Sequence, residues 1–166
     1  MFVIGVDPGL TGALSLIDSR RGLLACADIP TCENGVSSGS MKRWVDLDGM
    51  RSMLDEWASQ HDFAREDVHA VIERPIAMPS LPAQTIASQF DTFAVLRAVF
   101  GCRLMTARVH YVNPQEWKKL FGIRTDKGAA RECCKRLYPS APVSRVKDHN
   151  RAESILIGHW FLRGHA

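Results

Sequence analysis

Phe2-Val3-Ile4-Gly5-Val6-Asp7-Pro8-Gly9 stands at the head of the chain. A β-rich apolar run that ends in a carboxylate and then turns on Pro-Gly predicts a strand holding an acidic side chain rigidly at its end. Two other stretches have the same character. Val68-His69-Ala70-Val71-Ile72 runs into Glu73, and Pro75 breaks the strand just beyond it. Near the C-terminus, Lys147-Asp148-His149-Asn150-Arg151-Ala152-Glu153 opens an apolar helix. Each acid alone fits a strand-end cap or a solvated charge. Three in this order point to one divalent-metal site, because hard cations such as Mg²⁺ take oxygen ligands and often keep few protein ligands beside substrate phosphates.

The 166 residues suit a single domain, residues 1–166, and an apolar content of 46% supports a real core. No run of about 18 apolar residues is present, so no membrane span is expected. The first apolar run is too short for a signal peptide and has no basic segment before it. Five cysteines, an odd number without metal-type spacing, fit free thiols in a reducing cytoplasm. The net charge of +3 is unevenly placed. Met1 to Ala107 carries 9 Lys+Arg against 13 Asp+Glu, and Arg108 to Arg151 carries 11 against 4. A basic C-terminal third beside an acidic cluster suits a polyanion docking near a metal, and it also suits a solvated helix face.

Phe2–Val6, Ala13–Ile17 and Leu23–Ile29 read as a strand meander. Thr31–Ser40, small and polar, reads as a mobile loop. Asp48–Ser59 is an amphipathic helix with Met50, Met53, Leu54 and Trp57 on one side. Val68–Ile72 is near-continuously apolar, as in a sheet covered on both faces. A stiff proline-rich segment follows, then a helix from about Ala83 to Phe100 with Ile86, Phe90, Phe93 and Phe100 on its apolar side. Arg103–Met105 and His110–Val112 read as strand pieces. Asn113-Pro114 starts a helix whose apolar face is Trp117, Leu120 and Phe121. Thr125 or Asp126 caps the next, which runs to about Leu137, and Arg151–Leu162 is the last. The expected class is α/β or α+β with a mixed central sheet flanked by helices.

Taken in order, Gly5-Val6-Asp7-Pro8-Gly9, Val71-Ile72-Glu73, Val112-Asn113-Pro114 with Trp117-Lys118-Lys119, Asp126-Lys127-Gly128 and Ala152-Glu153-Ser154 resemble the RuvC family of Holliday-junction resolvases, in particular its shorter phage and prophage relatives. The resemblance spans nearly the whole chain. It implies a ribonuclease H-like fold and a homodimer. It also implies a Mg²⁺- or Mn²⁺-dependent endonuclease that nicks a four-way DNA junction symmetrically. On this resemblance Asp7, Glu73 and Glu153 are metal-binding and catalytic. The family's further contact, an acid or His three residues before the last carboxylate, falls on Asn150 here. A spacing of four or five selects His149 or Asp148.

The chemistry of phosphodiester hydrolysis asks for the same groups. It needs an activated water and stabilised charge on the leaving oxygen, and two metals about 4 Å apart provide both. Asp7 is the candidate bridging ligand, Glu73 holds one ion, and Glu153 with Asp148 or His149 holds the other. A carboxylate suits a hard cation better than imidazole or an amide, which puts Asp148 before His149 and both before Asn150. Asp148 also fits a helix N-cap. His149 lies one helical turn before Glu153 and suits proton transfer or a solvent-facing position. Lys118, Lys119, Arg124, Lys127, Arg131 and Lys135 are the candidate DNA phosphate contacts. Ile76, Met78 and Leu81 fit either insertion at a junction's open centre or plain packing. The helix 83–100 resembles the family's dimer helix and fits a buried helix equally. The alternatives are a related ribonuclease H-like nuclease acting on forks or RNA–DNA hybrids, and an inactive branched-DNA-binding scaffold.

Overall fold

The computed structural model describes residues 1–33, 43–104, 108–123 and 127–165, with backbone alone at Arg65, Lys127 and His165. Five strands form the main sheet: β1 (Phe2–Asp7), β2 (Ala13–Asp18), β3 (Gly22–Asp28), β6 (Val68–Glu73) and β7 (Val109–Val112), in the order β3-β2-β1-β6-β7. The meander β1-β2-β3 is antiparallel, whereas β1, β6 and β7 run parallel. A separate antiparallel pair joins β4 (Thr31–Glu33) to β5 (Arg43–Val45). The helices are α1 (Leu47–His61), α2 (Ala83–Arg103), α3 (Pro114–Leu120), α4 (Lys127–Leu137) and α5 (His149–His165).

Alternation along each strand sorts the side chains onto two faces. Val3, Val71 and Val112 pack with Trp117, Ile155, Leu156 and Phe161 under α3, α4 and α5. Ile4, Val6, Ala70 and Ile72 pack on the opposite face with Met50, Leu54 and Trp57 of α1 and Leu96 and Phe100 of α2. Odd-numbered residues of β1 and β6 therefore point towards α5. The parallel register that pairs Val6 with Ile72 brings the next residues, Asp7 and Glu73, to neighbouring strand ends on that face.

Helix α5 lies unusually close to β1. A Cβ on Gly5 would stand 2.1 Å from the Ser154 carbonyl oxygen and 2.6 Å from the Gly158 nitrogen. Ser15 Oγ on β2 donates to the same Ser154 carbonyl at 3.0 Å, so the polar groups of this tight seam are paired. Gly12 is equally constrained, because a Cβ there would fall 2.1 Å from the Asp7 carbonyl oxygen.

Several local expectations need correction. Thr31–Glu33 is a strand rather than loop, paired through Thr31↔Val45 and Glu33↔Arg43. The remainder of that stretch, 34–40, lies outside the described residues. Arg103 belongs to α2, not to a strand: the helix continues three residues past Phe100, and the Leu104 N–H bonds the Phe100 carbonyl at 2.8 Å. Met105 and the proposed caps Thr125 and Asp126 also lie outside the described residues. In α3 only Trp117 is buried, and Leu120 is exposed. In α2 the buried side chains are Thr92, Leu96 and Phe100, whereas Phe90 is exposed. No helix among the described residues is long and apolar enough to cross a membrane.

Gly5→Ala is expected to cost about 3 kcal/mol or to prevent folding, because both atoms that meet the new methyl are backbone. Gly101→Ala in α2 meets nothing within 4 Å and should stabilise by about 0.5–1 kcal/mol. Urea unfolding of the two variants checks the pair.

Candidate metal-binding active site

Asp7, Glu73 and Glu153 meet at the C-terminal edge of the parallel strands. Each offers a carboxylate oxygen, and these atoms all lie within 4.8 Å of one another. The strand ends supply two of the acids. The third comes from the first turn and a half of α5, which its close contact with β1 holds over them. The cluster lines a cleft of about 970 Å³ together with Thr11, Arg43, Met78, Lys118, His149 and Asn150.

Three like charges so close are expensive, and the chain offsets this only in part. Burial, followed by the repulsion of Glu153 and Glu73, raises Asp7 well above the usual carboxylate range, although Lys118 opposes it. Burial likewise pushes Glu73 up to about 7, against the lowering effect of a hydrogen bond from Trp117. That bond runs from the indole Nε1 to Glu73 Oε2 at 2.5 Å. Lys118 Nζ lies 3.7 Å from Glu153 Oε1 and 5.0 Å from the centre of the Trp117 ring. An oxygen-only set of mutually repelling carboxylates fits a hard divalent cation, whose charge removes the repulsion.

The remaining candidates are placed differently. Asp148 is not brought to the cluster. Its carboxylate is buried and accepts from the Arg145 backbone N–H at 2.8 Å and from the Arg145 guanidinium at 2.8 and 3.0 Å. The guanidinium's hydrogen bonds hold its carboxyl below the usual range. Asp148 thus closes the 3₁₀ turn Val146–Asp148 that leads into α5, instead of capping α5 itself. The reason is rotational: a residue five before Glu153 lies about 140° round a helix, whereas offsets of three and four stay on its face. His149 and Asn150 have those offsets and line the cleft. Asn150 Nδ2 donates to the Thr11 carbonyl at 2.5 Å, tying α5 to the β1–β2 turn.

Among the candidate phosphate contacts, Lys118 lines the cleft and Lys119 is exposed beside it on α3. Arg131 and Lys135 lie on α4, away from the cleft lining. Arg131 donates to the Ser144 carbonyl and Lys135 pairs with Glu132. Arg124 and the Lys127 side chain lie outside the described residues. Two features of the cleft are not legible in the sequence. Trp117 belongs to the apolar face of α3 and to the RuvC-like motif, and nothing local signals that its N–H meets Glu73. Arg43 comes from the acidic half of the chain, yet it lines the cleft with its guanidinium bonded to Thr31 Oγ1 at 2.6 Å.

This architecture is that of solved RuvC structures. Thermus thermophilus RuvC in complex with a Holliday junction substrate superposes with a TM-score of 0.63 at 13% identity, covering 96% of this chain and 92% of that one. A second Thermus thermophilus RuvC structure gives a TM-score of 0.51 at 16% identity, covering 99% and 96%. The fold is therefore the expected ribonuclease H-like one. No protein-family model matches the sequence, and no curated protein matches it.

The raised carboxyls set a pH dependence for the metal-free protein. Between the ordinary value of 4.5 and about 7, folded Glu73 keeps a proton that the unfolded chain has released. Stability therefore falls as pH rises through that window. In EDTA, Glu73→Gln is expected to match wild type near pH 4.5 and to exceed it in urea midpoint at pH 8. A midpoint that rises with pH in wild type but not in the variant would contradict the assignment.

Proposed function

We propose that this protein is a metal-dependent endonuclease that resolves four-way DNA junctions by phosphodiester hydrolysis. The observation that carries the reading is the convergence of Asp7, Glu73 and Glu153 within 4.8 Å in the lining of an open cleft. It is supported by a fold shared with a protein solved on a Holliday junction.

Asp7, Glu73 and Glu153 would hold two Mg²⁺ or Mn²⁺ ions, with Asp7 on its rigid strand the candidate shared ligand. Bound there, such ions would supply an activated water and stabilise charge on the leaving oxygen. Lys118 and Arg43 stand at the cleft as cations for the scissile strand's phosphates. His149 lines the cleft one turn from Glu153 and is the candidate to move a proton at the leaving oxygen or attacking water. Asp148 organises the turn before α5. Ile76 and Met78, both exposed on the cleft wall, are apolar surfaces for unpaired bases near a branch point. An inactive scaffold would gain nothing from holding three repelling carboxylates together, which argues for catalysis.

Symmetric resolution needs two such sites related by a two-fold axis, so the working form is a homodimer. Exposed Phe90 on α2 and exposed Trp44 on β5 provide apolar surface for a second copy. Sedimentation at micromolar concentration should show the dimer, and a strict monomer would favour single nicking of forks or hybrids.

The deciding experiment is cleavage of an immobile four-way junction beside duplex, fork and RNA–DNA hybrid, with and without Mg²⁺. Paired nicks in the junction are expected only with the cation. Asp7→Asn and Glu73→Gln should abolish cutting while leaving junction affinity within roughly tenfold, since losing a ligand removes transition-state stabilisation. Preferred cutting of fork or hybrid would transfer the assignment to the related nucleases.

His149→Ala is expected to slow cleavage about a hundredfold at unchanged melting temperature. Asp148→Asn should do the reverse, costing about 2 kcal/mol of stability through the weakened Arg145 bonds and leaving the rate of cutting nearly intact. Single-turnover rates and thermal melts of the two variants separate the roles.

A further inference from the structure

We propose that Trp117 is a positioning residue that presents Glu73 to the metal, an inference that rests on the metal-site reading above. Its ring is fully buried on α3, and its N–H, a donor with no acceptor capacity, meets Glu73 Oε2 at 2.5 Å. The contact fixes one carboxylate oxygen and reserves the other for a cation.

A flexible glutamate at a strand end has three side-chain torsions, and an unanchored carboxylate would turn away from Asp7 and Glu153 to escape their charge. The indole resists this because it cannot move. Trp117 packs in the same core as Val71, Val112 and Ile155, and the first and last of these lie two residues from Glu73 and Glu153. A hydrogen bond to the ionised form also favours that form, which works against the burial that would keep Glu73 protonated. The adjacent residue acts on the other acid, since Lys118 Nζ lies 3.7 Å from Glu153 Oε1 and over the Trp117 ring. One turn of α3 therefore restrains two of the three carboxylates from outside the cluster. Groups that orient a ligand in this way govern metal affinity, typically by about 10–100-fold. A bond that merely satisfied a buried indole would have no such effect.

The test is a titration of the full chain with MgCl₂, followed by melting temperature and by the indole ¹⁵N–¹H resonances of the four tryptophans. Trp117→Phe assigns the Trp117 signal. Should that variant not fold, single Phe replacements of Trp44, Trp57 and Trp160 assign it by elimination. The expected result is a Trp117 signal that moves with the same midpoint as the rise in melting temperature, with both responses absent in Asp7→Asn. Folded Trp117→Phe should need about 10–100-fold more Mg²⁺ for the same stabilisation. A signal that stays still while Mg²⁺ stabilises the protein, or an unchanged midpoint in Trp117→Phe, overturns the positioning role and leaves the metal site standing. Mg²⁺ that neither stabilises the protein nor moves any indole signal overturns the metal site and this role with it.

Discussion

The close contact between β1 and α5 is the constraint on which the site depends. Gly5 and Gly158 face each other with backbone where side chains would ordinarily stand, so the helix sits deeper on the sheet than packed side chains would allow. Two residues beyond Gly5 the strand ends in Asp7, and five residues before Gly158 the helix carries Glu153. A wider separation at the glycines would carry Glu153 away from Asp7 by a comparable amount. Packing density is thereby converted into a carboxylate spacing that a cation can use. The seam is held by more than contact, because Ser15 bonds the Ser154 carbonyl and Arg151 reaches Asp28 at the end of β3.

The site stores electrostatic cost in a fold otherwise economical with buried charge. Asp148 and Asp18, the least exposed acids among the described residues, each accept from an arginine and are held below the usual carboxyl range. Asp7 and Glu73 are shifted the opposite way. A paired acid is lowered in energy by its partner, whereas Asp7 and Glu73 carry the cost of burial and of nearby like charge. That contrast within one chain separates the clustered carboxylates from the arginine-paired ones.

Charge around the cleft follows a finer rule than the acidic-to-basic division of the sequence. Lys118 stands on one wall and Arg43, from the acidic half, also lines the cleft. Several cations of the basic third are engaged locally: Lys135 with Glu132, Arg145 with Asp148, and Arg151 with Asp28. Summed charge along the chain says which half is cationic, but placement in the fold decides which cations line the cleft.

The sequence by itself determined the sheet, its helices and the three acids. Alternation in Phe2–Asp7 and Val68–Glu73 is a local property, and a strand that ends in an acid ends there wherever it is placed. Apolar spacing likewise marked α1 and α5. The tertiary structure alone decided which neighbours complete the site. Asp148 and His149 differ by one position, yet the rotation of α5 on the sheet turns His149 to the cleft, and Arg145 takes Asp148. Trp117 looks like any core aromatic until α3 docks beside β6 and its N–H finds Glu73. Phe90 reads as part of an apolar stripe, but α2 buries Thr92, Leu96 and Phe100 and leaves Phe90 exposed. Residue type and spacing are written along the chain. Orientation between elements is set by how deeply they pack, and here that depth follows from two glycines meeting across β1 and α5.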